Sequence, residues 1–140
     1  PAPVKARGGL SLNLDITGPL GGQLHFSASV GRLLQLHNAE RARVGASPLI
    51  EDPTLTAYAQ AHSQKQANSG RETCFHSSPL VYAENVAYTS VQGQDADQAH
   101  RQWMNSKAGH REQLLNSKYT RVGFAAVTGP KGTYFTEVFQ

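Results

Sequence analysis

Imidazole is the commonest side-chain metal ligand and the one that titrates near neutrality, so the six histidines of this chain are weighed first. Two of them, His76 and His110, sit where helical periodicity fails. Ser77-Ser78-Pro79 follows the first and Ala108-Gly109 precedes the second. Such small, turn-forming surroundings are typical of side chains displayed on loops and helix starts. Glu84, within Ala83-Glu84-Asn85, also falls outside any apolar stripe. Two imidazoles and a carboxylate suit Zn2+, with the fourth position left for water or ligand. No short H-E-x-x-H element fixes that geometry, so spacing leaves two readings open: a joint metal site, or three unconnected polar side chains.

The remaining reactive groups read more simply. His37 and His62 lie on apolar helix faces and read as hydrogen-bonded core histidines. His100 shares a face with Trp103 and packs at an edge, and His25 is assigned no role. Cys74 stands two residues before His76, so in an extended segment the two would point the same way. Catalytic thiol–imidazole pairs generally meet through the fold instead, and an ordinary free thiol is the preferred reading. No G-x-S-x-G elbow marks a serine hydrolase. Glu137 shares a strand face with Phe135 and Phe139. A carboxylate there belongs to a sheet edge or a polar cleft, and the edge reading is favoured.

Elements must position these groups. Residues 1–9 read as a linker stub. Leu10, Leu12, Leu14 and Ile16 alternate with polar residues as a strand, and Gln23–Phe26 returns after the turn-rich Thr17–Gly22, giving a short N-terminal β-hairpin. A helix beginning near Ser27 or Ser29 carries Val30, Leu33, Leu34 and His37 on one face and ends before Gly45. Asp52-Pro53 opens a second helix with Leu55, Tyr58, Ala59 and His62 inward. Residues 71–93 show no period. A third helix starts at Asp95 and presents Ala96, Ala99, His100 and Trp103, and a short one runs from His110 to Leu115. Two strands, Thr120–Val127 and Thr133–Phe139, close the chain across a five-residue loop rich in glycine and proline. Helices followed by an antiparallel hairpin argue an α+β fold.

At 140 residues the chain has the size of one domain. Its net charge is +3, but the basic residues are scattered, without the basic stripe interleaved with aromatics that marks nucleic-acid binders. No run approaches the roughly 18 apolar residues that span a bilayer. Glycine-rich phosphate loops are also missing. One cysteine rules out an internal disulfide framework. Starting at Pro1 without a leader, the chain reads as a processed form.

The order of segments resembles the CAP superfamily, which includes cysteine-rich secretory proteins, plant pathogenesis-related proteins and bacterial SCP-like proteins. The resemblance rests on Leu36-His37-Asn38 with Arg41, then Pro48-Leu49, then Leu55, Ala59 and Ala61-His62. It continues through Phe75-His76-Ser77, Ala83-Glu84-Asn85-Val86-Ala87, Trp103-Met104-Asn105-Ser106 and Gly109-His110-Arg111. Leu114-Leu115, Tyr119-Thr120-Arg121-Val122-Gly123 and the closing Tyr134–Phe139 complete it, in the manner of the bacterial branch. On this resemblance residues 28–140 form the CAP domain and 1–27 an N-terminal extension.

The resemblance implies an α-β-α sandwich with a central antiparallel sheet and an open cleft. In many members two histidines and two glutamates line that cleft and bind a divalent metal, often zinc. His76, Glu84 and His110 map onto three of the four positions. The fourth, three residues after the tryptophan, is Ser106, whose hydroxyl carries no charge; Glu137 could restore the charge from the last strand. A secreted, non-enzymatic, monomeric binding module follows, located outside the cell or in the envelope, with a lipid, glycan or protein as ligand. The alternatives are a metal-dependent hydrolase of peptide or cell-wall material, with Glu84 as general base, and a structural envelope or coat protein with a vestigial cleft.

Overall fold

The computed structural model describes the backbone of residues 5–6, 10–11, 13–17 and 23–27, and the full structure of residues 28–140. In the first part, β1 (Lys5–Ala6) pairs with β2 (Leu10–Ser11), and β3 (Asn13–Thr17) pairs antiparallel with β4 (Gln23–Ser27). Most of the expected linker at 1–9 and the turn within Thr17–Gly22 lie outside the described residues.

Four helices and a four-stranded sheet follow. α1 spans Ala28–Arg43 and buries Val30, Leu33, His37 and Arg41. Gly45, at φ +77°, takes the left-handed turn that ends it. β5 (Ile50–Glu51) leads into α2 (Pro53–Asn68), where the Asp52 carboxylate accepts the N–H groups of Thr54 and Leu55 and Pro53 stands in the first turn. Then come β6 (Ala83–Thr89), α3 (Ala96–Met104) capped by Asp95, and α4 (His110–Leu114). A hairpin of β7 (Arg121–Gly129) and β8 (Gly132–Phe139) ends the chain.

The strand order is β5-β7-β8-β6, antiparallel except for the short parallel pairing of β5 with β7. α2 packs on one face through Leu55, Ala59, Ala125 and Val138. α1 and α3 cover the other through Val30, Leu33, Ala96, Ala99, Trp103, Phe124 and Phe135. The result is the expected α-β-α arrangement. β8, flanked by strands and covered on both faces, is buried along its whole length.

Three expectations change. β6 occupies part of the segment that lacked a period, because Glu84, Asn85, Val86 and Ala87 are all buried and no in–out alternation survives. The closing hairpin runs on to Gly129 and Gly132, leaving only Pro130-Lys131 as its turn. Gly132, at φ +142°, lies so close to the Thr89 carbonyl that a Cβ there would stand 2.1 Å from its oxygen. Finally, Glu137 is at no edge: β8 is an inner strand, and Glu137 is fully buried.

Arg41 ties the helical layer together. Its buried guanidinium donates to the carbonyls of Ser47 (2.8 Å), Leu114 (2.9 Å), Asn116 (3.0 Å) and Tyr119 (2.8 Å), with burial lowering its pKa. α1 is thereby bonded to the chain leaving α4, the helix that begins at His110.

Candidate functional site

His76 owes its place to α2. His62 donates from Nε2 to the Phe75 carbonyl at 2.7 Å, and the Gln66 side-chain oxygen accepts the Phe75 N–H at 2.9 Å. Gln66 is itself held by its amide donating to Thr136 Oγ1 on β8. With both main-chain groups of Phe75 clamped, and Arg71 stacked 4.9 Å over its ring, the next residue is fixed in position. His62 is therefore the hydrogen-bonded core histidine expected from the sequence, and its purpose is to hold the loop before His76.

Glu84, on β6, meets that loop. His76 Nδ1 lies 2.9 Å from Glu84 Oε1, which also accepts the Ser77 N–H at 2.9 Å, while the Ser77 hydroxyl donates to Oε2. The carboxylate side chain is 1% exposed and the imidazole 52%. A carboxylate accepting from Nδ1–H leaves the lone pair of His76 on Nε2, which has no hydrogen bond among the described residues.

His110 opens α4 directly after Gly109, whose φ of +99° makes the reversal from α3. Its Nδ1 lies 2.7 Å from Ser106 Oγ, which also accepts the Ala108 N–H at 3.0 Å. Burial lowers the pKa of His110, charge on nearby His76 lowers it further, and Glu137 opposes both. His76 thus stands near enough to His110 for its charge to act on that ring.

Glu137 sits beneath this arrangement. His37 Nε2 is 2.6 Å from its Oε1, and Asn85 Nδ2 donates to its Oε2 at 3.0 Å. On its other side, His37 Nδ1 lies 2.8 Å from His100 Nδ1. Asn85 also donates to the His110 carbonyl at 3.2 Å. Asn85, Gln66 and Gln113 are polar residues that carry no chemistry of their own; Asn85 stood in the sequence only as part of the Ala83–Ala87 segment, and a single sequence offers no signal that singles out the two glutamines.

The structure joins His76 to Glu84 and Ser106 to His110 directly, and leaves Glu137 connected to His110 through Asn85. Among the described residues, no group of three or more His, Cys, Asp or Glu side chains is arranged to hold a metal ion. With Glu84 spent on His76 and Ser77, the ring nitrogens left without a hydrogen bond among the described residues are Nε2 of His76 and Nε2 of His110. Cys74 packs as a half-buried thiol, its pKa pushed up by burial, which opposes nucleophilic use. No described helix is long and apolar enough to cross a membrane.

A family model described as the cysteine-rich secretory protein family, CAP, matches residues 34–139. The uncharacterized protein YkwD of Bacillus subtilis is 30% identical over 124 residues, which cover 81% of this chain and 47% of that protein. The chain thus spans about half the length of that relative. Among solved structures, NaASP2 with Zn2+ superposes with a TM-score of 0.66 at 16% identity, over 79% of this chain and 78% of that one. An extracellular protein from Bacillus anthracis that contains an SCP domain superposes with a TM-score of 0.62 at 23% identity, over 81% of this chain and 40% of that one. Both likenesses are likenesses of fold.

Proposed function

The chain belongs to the CAP family, and on that premise we propose that it is an extracellular or cell-envelope binding module whose cleft holds a divalent cation between His76 and His110. Zinc is the cation best matched to two neutral imidazoles with open positions for water or ligand. The module works as a monomer, without nucleic acid, and takes a lipid, glycan or protein ligand beside the metal.

One observation carries the reading. Each imidazole is held at Nδ1, His76 by Glu84 and His110 by Ser106, which lets Nε2 of each act as the ligating atom. Metal-binding histidines are commonly oriented in this way through their second nitrogen. A bound metal would supply Lewis acidity and open coordination positions; the chain's own residues orient the rings. Support also comes from a fold neighbour whose crystals contained Zn2+. A Ser–His contact is the beginning of a nucleophile–base pair, but His110 Nε2 has no orienting partner among the described residues, so binding is favoured over hydrolysis.

Calorimetric titration with Zn2+ tests this. At about pH 7.5 the wild-type chain should bind one ion, and His76→Ala or His110→Ala should abolish binding without loss of fold. Affinity should fall toward about pH 5.5 as protons compete for the imidazoles, and the lowered pKa of His110 pushes that loss to more acidic pH. A folded wild-type chain that takes up no Zn2+ would sink the metal reading.

A further inference from the structure

Glu137 and His37 are each 0% exposed, a carboxylate and an imidazole in contact at the centre of a small domain. Burying such a pair costs more than it returns unless every polar atom is satisfied, and apolar residues of similar volume would pack there at less cost. The satisfaction here has a direction. His100 Nδ1 meets His37 Nδ1 at 2.8 Å, so the two rings share one proton and cannot both be cationic. His37 Nε2 meets Glu137 Oε1 at 2.6 Å, and Glu137 Oε2 accepts from Asn85 at 3.0 Å.

Asn85 then divides the line. Its amide nitrogen serves both Glu137 and the His110 carbonyl, while its Oδ1 accepts from Gln113 Nε2 at 3.3 Å. That same Gln113 nitrogen donates to the Glu84 carbonyl at 2.9 Å. One hydrogen-bonded strut therefore starts between α1 and α3, crosses the inner strand, and ends on the main chain of both His110 and Glu84. On the reading proposed above, those residues belong to the two sides of the cleft.

We propose that Glu137 is a positioning residue of the cleft: anchored by His37 and His100, it orients Asn85, and Asn85 sets the separation of His110 from the His76–Glu84 pair. Glu137 stays out of the first coordination shell and acts through the strut. This inference rests on the cleft reading above, although its first readout needs no metal. In a well-packed interior a displaced strut moves the start of α4 as a unit.

Three variants test it. Glu137→Leu removes both acceptors. Asn85→Ala cuts the strut and leaves the Glu137–His37 pair in place. Glu137→Gln keeps an oxygen for Asn85 and offers an amide N–H to His37 Nε2. Two readouts apply to each folded variant: the ring 15N shifts of His110 in metal-free protein at fixed pH, and Zn2+ affinity. Glu137→Leu and Asn85→Ala should move the His110 ring shifts and weaken Zn2+ binding about tenfold or more, and Glu137→Gln should recover most of both.

His110 shifts that match wild type in Glu137→Leu and Asn85→Ala, with only thermal stability reduced, overturn the proposal. So does a Glu137→Gln variant as impaired as Glu137→Leu. If Glu137→Leu does not fold, Asn85→Ala decides. If the wild-type chain binds no Zn2+, the metal reading fails by itself and the 15N shifts still decide whether Glu137 positions His110.

Discussion

At His110 the chemistry turns on which ring nitrogen carries the proton. Ser106 Oγ already accepts the Ala108 N–H, and its second lone pair is open to His110 Nδ1–H, which leaves Nε2 bare for a ligand. Replacing Ser106 by Ala removes the orienting partner without disturbing the core. The expected result is Zn2+ binding weaker by about tenfold, with the ring free to take either tautomer. Unchanged affinity in Ser106→Ala would reduce that hydroxyl to a turn residue. The exchange of a carboxylate for a serine at this position was legible in the sequence. Its hydrogen bond to His110 was not, because the path from Ser106 to the first residue of α4 depends on Gly109 and on how α3 and α4 dock. Glu84 followed the same course: its presence was visible, and its capture by His76 and Ser77 was not.

The elements were legible wherever one face met water. α2 and α3 start at Asp52 and Asp95, as the capping rule requires, and their inward stripes are those the 3.6-residue period marks. β6 escaped because the sandwich covers both of its faces, and β8 alternates two buried faces rather than a wet and a dry one. Close approach between layers was also invisible. A Cβ on Gly123 would stand 2.0 Å from the Leu55 carbonyl carbon and 2.1 Å from the Thr56 nitrogen, so β7 rests directly on the first turn of α2. Backbone meets backbone there, and no rotamer change can relieve the clash. Gly123→Ala should therefore cost about 3 kcal/mol in urea unfolding. A midpoint equal to wild type would mean that α2 does not press on β7 in solution.

For the whole molecule, the polar line through the core makes stability depend on pH. The pKa of His100 falls from 6.5 to about 4, first through burial and then through His37, against the pull of Glu40 and Asp97. In the unfolded chain the same imidazole takes up its proton near pH 6.5. Between those values the unfolded state binds more protons, so this stability is complete above about pH 6.5 and is lost as pH falls toward 4. The lowered pKa of His110 acts in the same sense. Melting temperature should therefore drop between about pH 7 and about pH 4.5, and the drop should be smaller in His100→Gln. Equal drops in the two proteins would show that His100 takes no part.

From the sequence alone came the α+β class, the capped helices, the closing hairpin and the identity of the residues that could carry chemistry. Those features depend on composition and on periods of two or 3.6 residues, which a chain displays before it folds. What ties Glu137 to His37, and through Asn85 to His110, is contact between residues as much as 100 positions apart, as in the His37–Glu137 pair. Such contacts appear only when two helical layers close over a sheet and every buried polar atom must find a partner. The tertiary structure alone decided that Glu137 lies on an inner strand, fully buried and bonded on both oxygens, instead of at an open edge.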